Sequence, residues 1–173
     1  MCASKAKKIL TIDDDEDIRS TISLRLEMEG FETVWAKNGR VALEYMNNII
    51  DTELPDLILL DFMMPVMNGQ EFCKEKSQNP RLSPIPVVMM TAGGNLISLM
   101  DRVDQGANGY MSKPMDEDTI ISTVKYFLNF MPETTAELAK SVSTDPKMVN
   151  ETIGLNFESV QKGIKSQSSL IQI

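Results

Sequence analysis

The chain has 173 residues, 42% of them hydrophobic, enough to bury one sizeable core with some length left over. Its 17 basic and 25 acidic residues give a formal charge of −8, which repels phosphodiester backbones and argues against non-specific nucleic-acid binding. Cys2 and Cys73 are too far apart to read as a disulfide framework or metal cluster, residues 1–12 fail as a signal peptide, and no stretch approaches membrane-spanning length, so a soluble, cytoplasmic protein is expected.

Short apolar runs alternate with helical patterns from residue 7 to about 128. The first strand is expected at 8–12 and ends in Asp13-Asp14-Asp15-Glu16-Asp17. Acids at a helix start favour the positive end of its dipole, and Asp15 can cap the next helix. That leaves Asp13 and Asp14 as costly like-charge neighbours unless a divalent cation sits between them, and magnesium suits such oxygen ligands. Ile18, Ile22 and Leu26 recur every fourth residue, with Gly30 placed as a C-terminal cap. A second strand follows at 32–36, then a helix starting near Gly39 with Ala42, Leu43 and Met46 as its buried stripe.

The third strand, 57–60, runs directly into Asp61-Phe62-Met63-Met64-Pro65. Asp61 could cap a local turn, or act as a nucleophile toward a phosphoryl group if a cation gathers it with Asp13 and Asp14. A third helix, near 70–77, carries Phe72 and Cys73 inward. The fourth strand, 86–90, leads to Thr91, Ala92, Gly93 and Gly94. Thr91 can serve as a plain turn residue or donate its hydroxyl to a phosphoryl oxygen. A helix burying Leu96, Leu99, Met100 and Val103 should follow, then a fifth strand at 109–111 ending in Ser112-Lys113-Pro114. Lys113 is either a solvated surface charge or the long cation that reaches a phosphoryl group two strands away. The last helix, about 117–130, should pack through Ile121, Val124 and Leu128, with Pro132 stopping it.

This order predicts an α/β fold with a doubly wound, five-stranded parallel sheet in the flavodoxin-like order 2-1-3-4-5. In such sheets ligands sit beyond the carboxyl ends of the strands where the winding reverses, here between the first and third. Four strand ends carrying an acid pair, an acid, a hydroxyl and an ammonium form a specific combination.

The segments 9–19 (ILTIDDDEDIR), 55–65 (PDLILLDFMMP), 90–92 (MTA) and 106–114 (GANGYMSKP) resemble the receiver domains of two-component response regulators, in that family's order and spacing. The resemblance spans about residues 7–130. It implies that Asp13 and Asp14 hold Mg2+, for which Mn2+ can substitute, and that the main-chain carbonyl of Met63 completes a site shared with Asp61. It further implies that Asp61 takes a phosphoryl group from a sensor histidine kinase or phosphotransfer protein. Thr91 and Lys113 would sense that group, Tyr110 would change rotamer with it, and Gly69 matches the glycine of the loop after the acceptor. On this reading the chain is a phospho-acceptor that assists its own phosphorylation and dephosphorylation rather than an enzyme. It would switch conformation to control binding to a downstream protein or a second copy of itself.

Rival chemistries fit less well. A haloacid-dehalogenase-type phosphatase needs a second Asp two residues after the nucleophile, where this chain has Met63. A nucleotide-binding domain needs a Gly-rich turn after the first strand, where this chain has five acids. Residues 1–130 therefore read as the receiver and 131–173 as a small helical C-terminal extension that packs on the receiver or on a second copy. The alternative is a transcriptional regulator in which a minimal helix-turn-helix around Gly154 meets DNA. Lys162 and Lys165 are few cations for that task, so neither DNA nor membrane is expected as a partner.

Overall fold

The continuous apolar runs become the middle of a parallel sheet. The computed structural model describes residues 5–92 and 106–130. Within them β1 (Lys8–Ile12), β2 (Glu32–Ala36), β3 (Leu57–Asp61), β4 (Val87–Ala92) and β5 (Gly109–Lys113) pair in parallel in the order β2-β1-β3-β4-β5. Every residue of β1 and β3 is buried, whereas four of the five residues of β2, at the sheet's edge, are at least partly open. Strands covered on both faces need no polar alternation, which is why these sequences read as unbroken hydrophobic runs. The chain is thus the expected doubly wound α/β sheet of flavodoxin-like order.

Four helices cover the sheet among the described residues: α1 (Glu16–Met28), α2 (Gly39–Asn48), α3 (Gly69–Gln78) and α4 (Glu117–Phe130). Alternate strand residues divide two cores. Leu10, Ile12, Ile58 and Leu60 pack with Met46 of α2 and Phe72 of α3. Ile9, Leu57 and Leu59 pack with Ile22 and Leu26 of α1 and Val124 and Phe127 of α4. Gly30, at φ +86° just past the Glu29 C-cap, ends α1 in the left-handed conformation that glycine tolerates best. Cys73 is a buried hydrophobe whose thiol is pushed up to about 12 by burial, so it is chemically quiet.

Some packing differs from the periodicity. The inward face of α4 is Ile120, Ile121, Val124 and Phe127, and Leu128 is only half-buried, because two adjacent apolar pairs leave the stripe ambiguous by one residue. Ile18 is half-buried, and Arg19 beside it takes an inward position. The strands also run further than expected, so Asp61, Ala92 and Lys113 are themselves the last strand residues. The helix expected around Leu96 to Val103, the Gly93-Gly94 pair and the extension 131–173 lie outside the described residues.

At the opposite rim from the acids, Asp56 ties β1 to β3. Its Oδ2 accepts the Lys8 N–H at 2.8 Å, its own N–H donates to the Lys8 carbonyl at 2.8 Å, and its Oδ1 meets Lys7 Nζ at 2.9 Å.

Candidate functional site

Because Ile12 is paired with Leu60, the next residues of β1 and β3, Asp13 and Asp61, emerge side by side at the reversal of winding. Carboxylate oxygens of Asp13, Asp14 and Asp61 lie within 4.8 Å of one another. Asp13 is 1% exposed and Asp61 5%, while Asp14 is open to solvent. The five acids after β1 divide as the chemistry suggests. Asp15 is the N-cap of α1, accepting from the N–H groups of Asp17 at 2.9 Å and Ile18 at 3.2 Å, and Asp13 and Asp14 are left to the site.

Lys113 reaches this cluster from β5. Its Nζ lies 2.6 Å from Asp13 Oδ2 and 2.7 Å from Asp61 Oδ1. The Lys113–Pro114 peptide bond is cis. The remaining oxygens are also engaged: Asp61 Oδ2 accepts the Met63 N–H at 3.0 Å, and Asp13 Oδ1 accepts the Asp15 N–H at 3.0 Å. Burial raises the Asp61 carboxyl above its ordinary range, with Asp13 adding to the rise, while Lys113 and the Met63 N–H oppose it. Burial alone would lower the Lys113 ammonium, but two carboxylates outweigh it and hold it above its usual value. One ammonium serves two acids, so each acid receives only part of its compensation.

Three carboxylates, two of them buried, against one contacting ammonium leave an excess of negative charge that suits a hard divalent cation with oxygen ligands. Gly69 holds the next loop close to this site. Its N–H donates to the Phe62 carbonyl at 3.0 Å, and a Cβ there would stand 2.8 Å from the Asp61 carbonyl oxygen.

Thr91 lies on β4 one residue past Met90, the partner of Asp61, and is 3% exposed. Tyr110, 2% exposed, is packed into the core on the α2 and α3 side rather than among the acids. The Met63 side chain is 72% exposed, so only its main chain faces Asp61. Sequence reasoning passed over Arg19, which is 8% exposed and donates from a guanidinium N–H to the Asp13 carbonyl at 2.8 Å. The signal was present: Arg19 precedes Ile22 by three residues and Leu26 by seven, on the buried stripe.

Comparison with known proteins shows the family. Residues 9–125 match the family model for the response regulator receiver domain. The chain is 35% identical over 122 residues to the alkaline phosphatase synthesis transcriptional regulatory protein PhoP of Bacillus subtilis, covering 70% of this chain and 48% of that protein. It is 35% identical over 121 residues to the transcriptional regulatory protein CpxR of Escherichia coli K12, covering 70% and 49%. The chain therefore spans about half the length of these relatives. Among solved structures, the chemotaxis response regulator CheY4 of Vibrio cholerae is similar with a TM-score of 0.66 and 30% identity, over 72% of this chain and all of that one (100%).

Proposed function

The chain belongs to the response regulator receiver family, and from that premise we propose that it accepts a phosphoryl group on Asp61 from a histidine kinase or phosphotransfer protein, in a Mg2+-dependent reaction, and so changes which protein it binds. The observation that carries this reading is the convergence of Asp13, Asp14, Asp61 and Lys113 on one point.

Asp61 is the nucleophile: a carboxylate oxygen forms the bond to phosphorus as the donor's bond to phosphorus breaks. The Met63 N–H and Lys113 orient its carboxylate. Asp13, Asp14 and Asp61 would hold the cation with the Met63 carbonyl, and Mn2+ could replace Mg2+. When bound, the cation supplies positive charge to the phosphoryl oxygens. Lys113, already 2.7 Å from Asp61, is placed to pair with those oxygens, and Thr91 to donate its hydroxyl to them. Tyr110 would then report the change on the output side. The chain assists its own phosphorylation and dephosphorylation. A donor also needs a surface beside the acids. An apolar cleft of about 480 Å³ opens between α1 and the start of α4, lined by Ile18, Thr21, Ala92, Pro114, Met115 and Ile120 and reaching Lys113.

With a small phosphodonor and Mg2+, the protein should gain one phosphoryl group and Asp61→Asn none. Uptake at the same rate by Asp61→Asn would refute the assignment.

A second reading has support from the relatives, which are named as transcriptional regulators. In it the conformational change controls DNA binding through residues 131–173. The full chain would then retain a duplex with an affinity that falls steeply with salt, and a chain ending at Phe130 would not. If neither chain retains a duplex, the output is a protein contact.

A further inference from the structure

We propose that Arg19 is a positioning residue for the cation site, setting the Asp13–Asp14 turn through the Asp13 carbonyl and braced by Trp35. The proposal rests on the cation-dependent reading above. A buried guanidinium beside three acids would ordinarily pair with a carboxylate. Arg19 instead donates to the Asp13 main-chain carbonyl at 2.8 Å, with its Cζ 4.8 Å from the Trp35 ring centroid. That choice has a chemical consequence. It brings a positive charge to the turn while leaving the carboxylate oxygens for a cation.

The Asp13 peptide is held from both sides. Its N–H donates to the Ala36 carbonyl at the end of β2 at 3.2 Å, and its carbonyl is held by Arg19. Arg19 is itself fixed one turn into α1, where its N–H donates to the Asp15 carbonyl at 3.1 Å. Asp13, Asp15 and Arg19 thus close a ring of contacts around Asp14, so the direction of the Asp14 carboxylate depends on that ring. The far side of the brace is open: Trp35 on edge strand β2 is 61% exposed, and one of its faces carries the guanidinium. A shift of the turn passes through Arg19 to the indole. Trp35 is the chain's single Trp, so its emission reads what the acids bind.

Mg2+ titration followed in parallel by calorimetry and by Trp35 emission tests this on the full chain. Arg19→Met keeps the apolar stem and removes the donor. It should raise the Mg2+ Kd about tenfold, the loss expected for one charge-assisted hydrogen bond, and abolish the emission change. Arg19→Lys, which can still donate but cannot stack as a plane, should recover most of the affinity without the emission change. Trp35→Leu, at an exposed position, should weaken binding about two- to threefold by calorimetry. A folded Arg19→Met that binds within twofold of the parent would overturn the proposal. Should Arg19→Met not fold, unchanged affinity in both Arg19→Lys and Trp35→Leu overturns it. If the parent itself binds no Mg2+ and takes no phosphoryl group, the acceptor reading and this one both fail, whereas a parent that does both while Arg19→Met is unaffected sinks only the role of Arg19.

Discussion

The ammonium of Lys113 lies 2.7 Å from Asp61 Oδ1, although β4 separates the strands that carry them. The same nitrogen is 2.6 Å from Asp13 Oδ2. A fixed positive charge therefore spans two acids that a divalent cation would use, and the cation and the lysine compete for the same oxygens.

Lys113→Ala should accordingly bind Mg2+ more tightly than the parent. Relief of about 1 kcal/mol of charge repulsion corresponds to roughly fivefold in affinity. The variant should also lose its conformational response to phosphorylation, because a charge-assisted contact worth about 1.5–3 kcal/mol is missing. Calorimetry checks the first effect, and equal or weaker affinity would show that Lys113 does not compete with the cation.

The acids of the first loop should separate into two roles on mutation. Asp15→Ala removes the α1 cap and should cost about 1 kcal/mol of stability with little change in Mg2+ affinity. Asp14→Ala should weaken Mg2+ binding with no loss of stability, since an exposed acid is removed from a crowded negative cluster. Urea unfolding and metal titration on both variants decide it. Reversed outcomes would mean the capping and binding acids have been exchanged.

Gly69→Ala places a methyl 2.8 Å from the Asp61 carbonyl oxygen and 3.1 Å from the Phe62 Cα, both backbone atoms with little room to yield. Destabilisation of about 1–3 kcal/mol is expected from the crowding. Phosphoryl uptake should fall as well, because the displaced backbone belongs to the acceptor. A variant with parental stability and parental uptake would show that the loop gives way freely.

Lys76 is 3% exposed, its ammonium donates to the Ser83 carbonyl at 3.1 Å, and burial pulls its pKa down to about 8. The folded state holds this proton less tightly than the unfolded chain does. Charged Lys76 therefore costs stability fully below pH 8, and the cost is relieved as pH rises from about 8 toward the unfolded value of 10.5. Lys76→Met should stabilise the protein by about 1–2 kcal/mol at pH 7, after allowance for the lost Ser83 contact. The difference from the parent should shrink across that window. Taking the difference at each pH cancels groups that do not interact with Lys76, and measuring both chains in a Cys73→Ala background removes the neighbouring thiol, whose raised pKa acts in the opposite sense. A pH-independent difference would sink the prediction.

Sheet order, strand positions and the cluster of Asp13, Asp14 and Asp61 were legible in the sequence because each depends on local pattern. Apolar runs bounded by Gly, Pro and acids mark the strands, and strand order then brings Asp13 beside Asp61. What escaped depends on side-chain reach. Lys113 was expected to answer to the phosphoryl group, and nothing in its sequence position shows that its ammonium already touches two acids. Arg19 was not singled out: its spacing from Ile22 and Leu26 marks the buried side of α1, but spacing alone does not show that its guanidinium ends on the Asp13 carbonyl. Tyr110 was expected to change rotamer with the phosphoryl group, and its burial on the α2 and α3 side could not be read from its place in the strand.

The Asp56 clamp between β1 and β3 fixes more than the rim of the sheet. Side chains in a strand alternate faces, so a slip of one residue between these strands would bring Leu60 to the place of Asp61 and turn every β3 side chain to the wrong core. Asp56 stands five residues before the acceptor, roughly 17 Å along the strand, and works as a vernier for it. On the proposed function, an acid that never meets the phosphoryl group thereby decides which residue does, and its loss would appear as a fraction of molecules folded but unable to react.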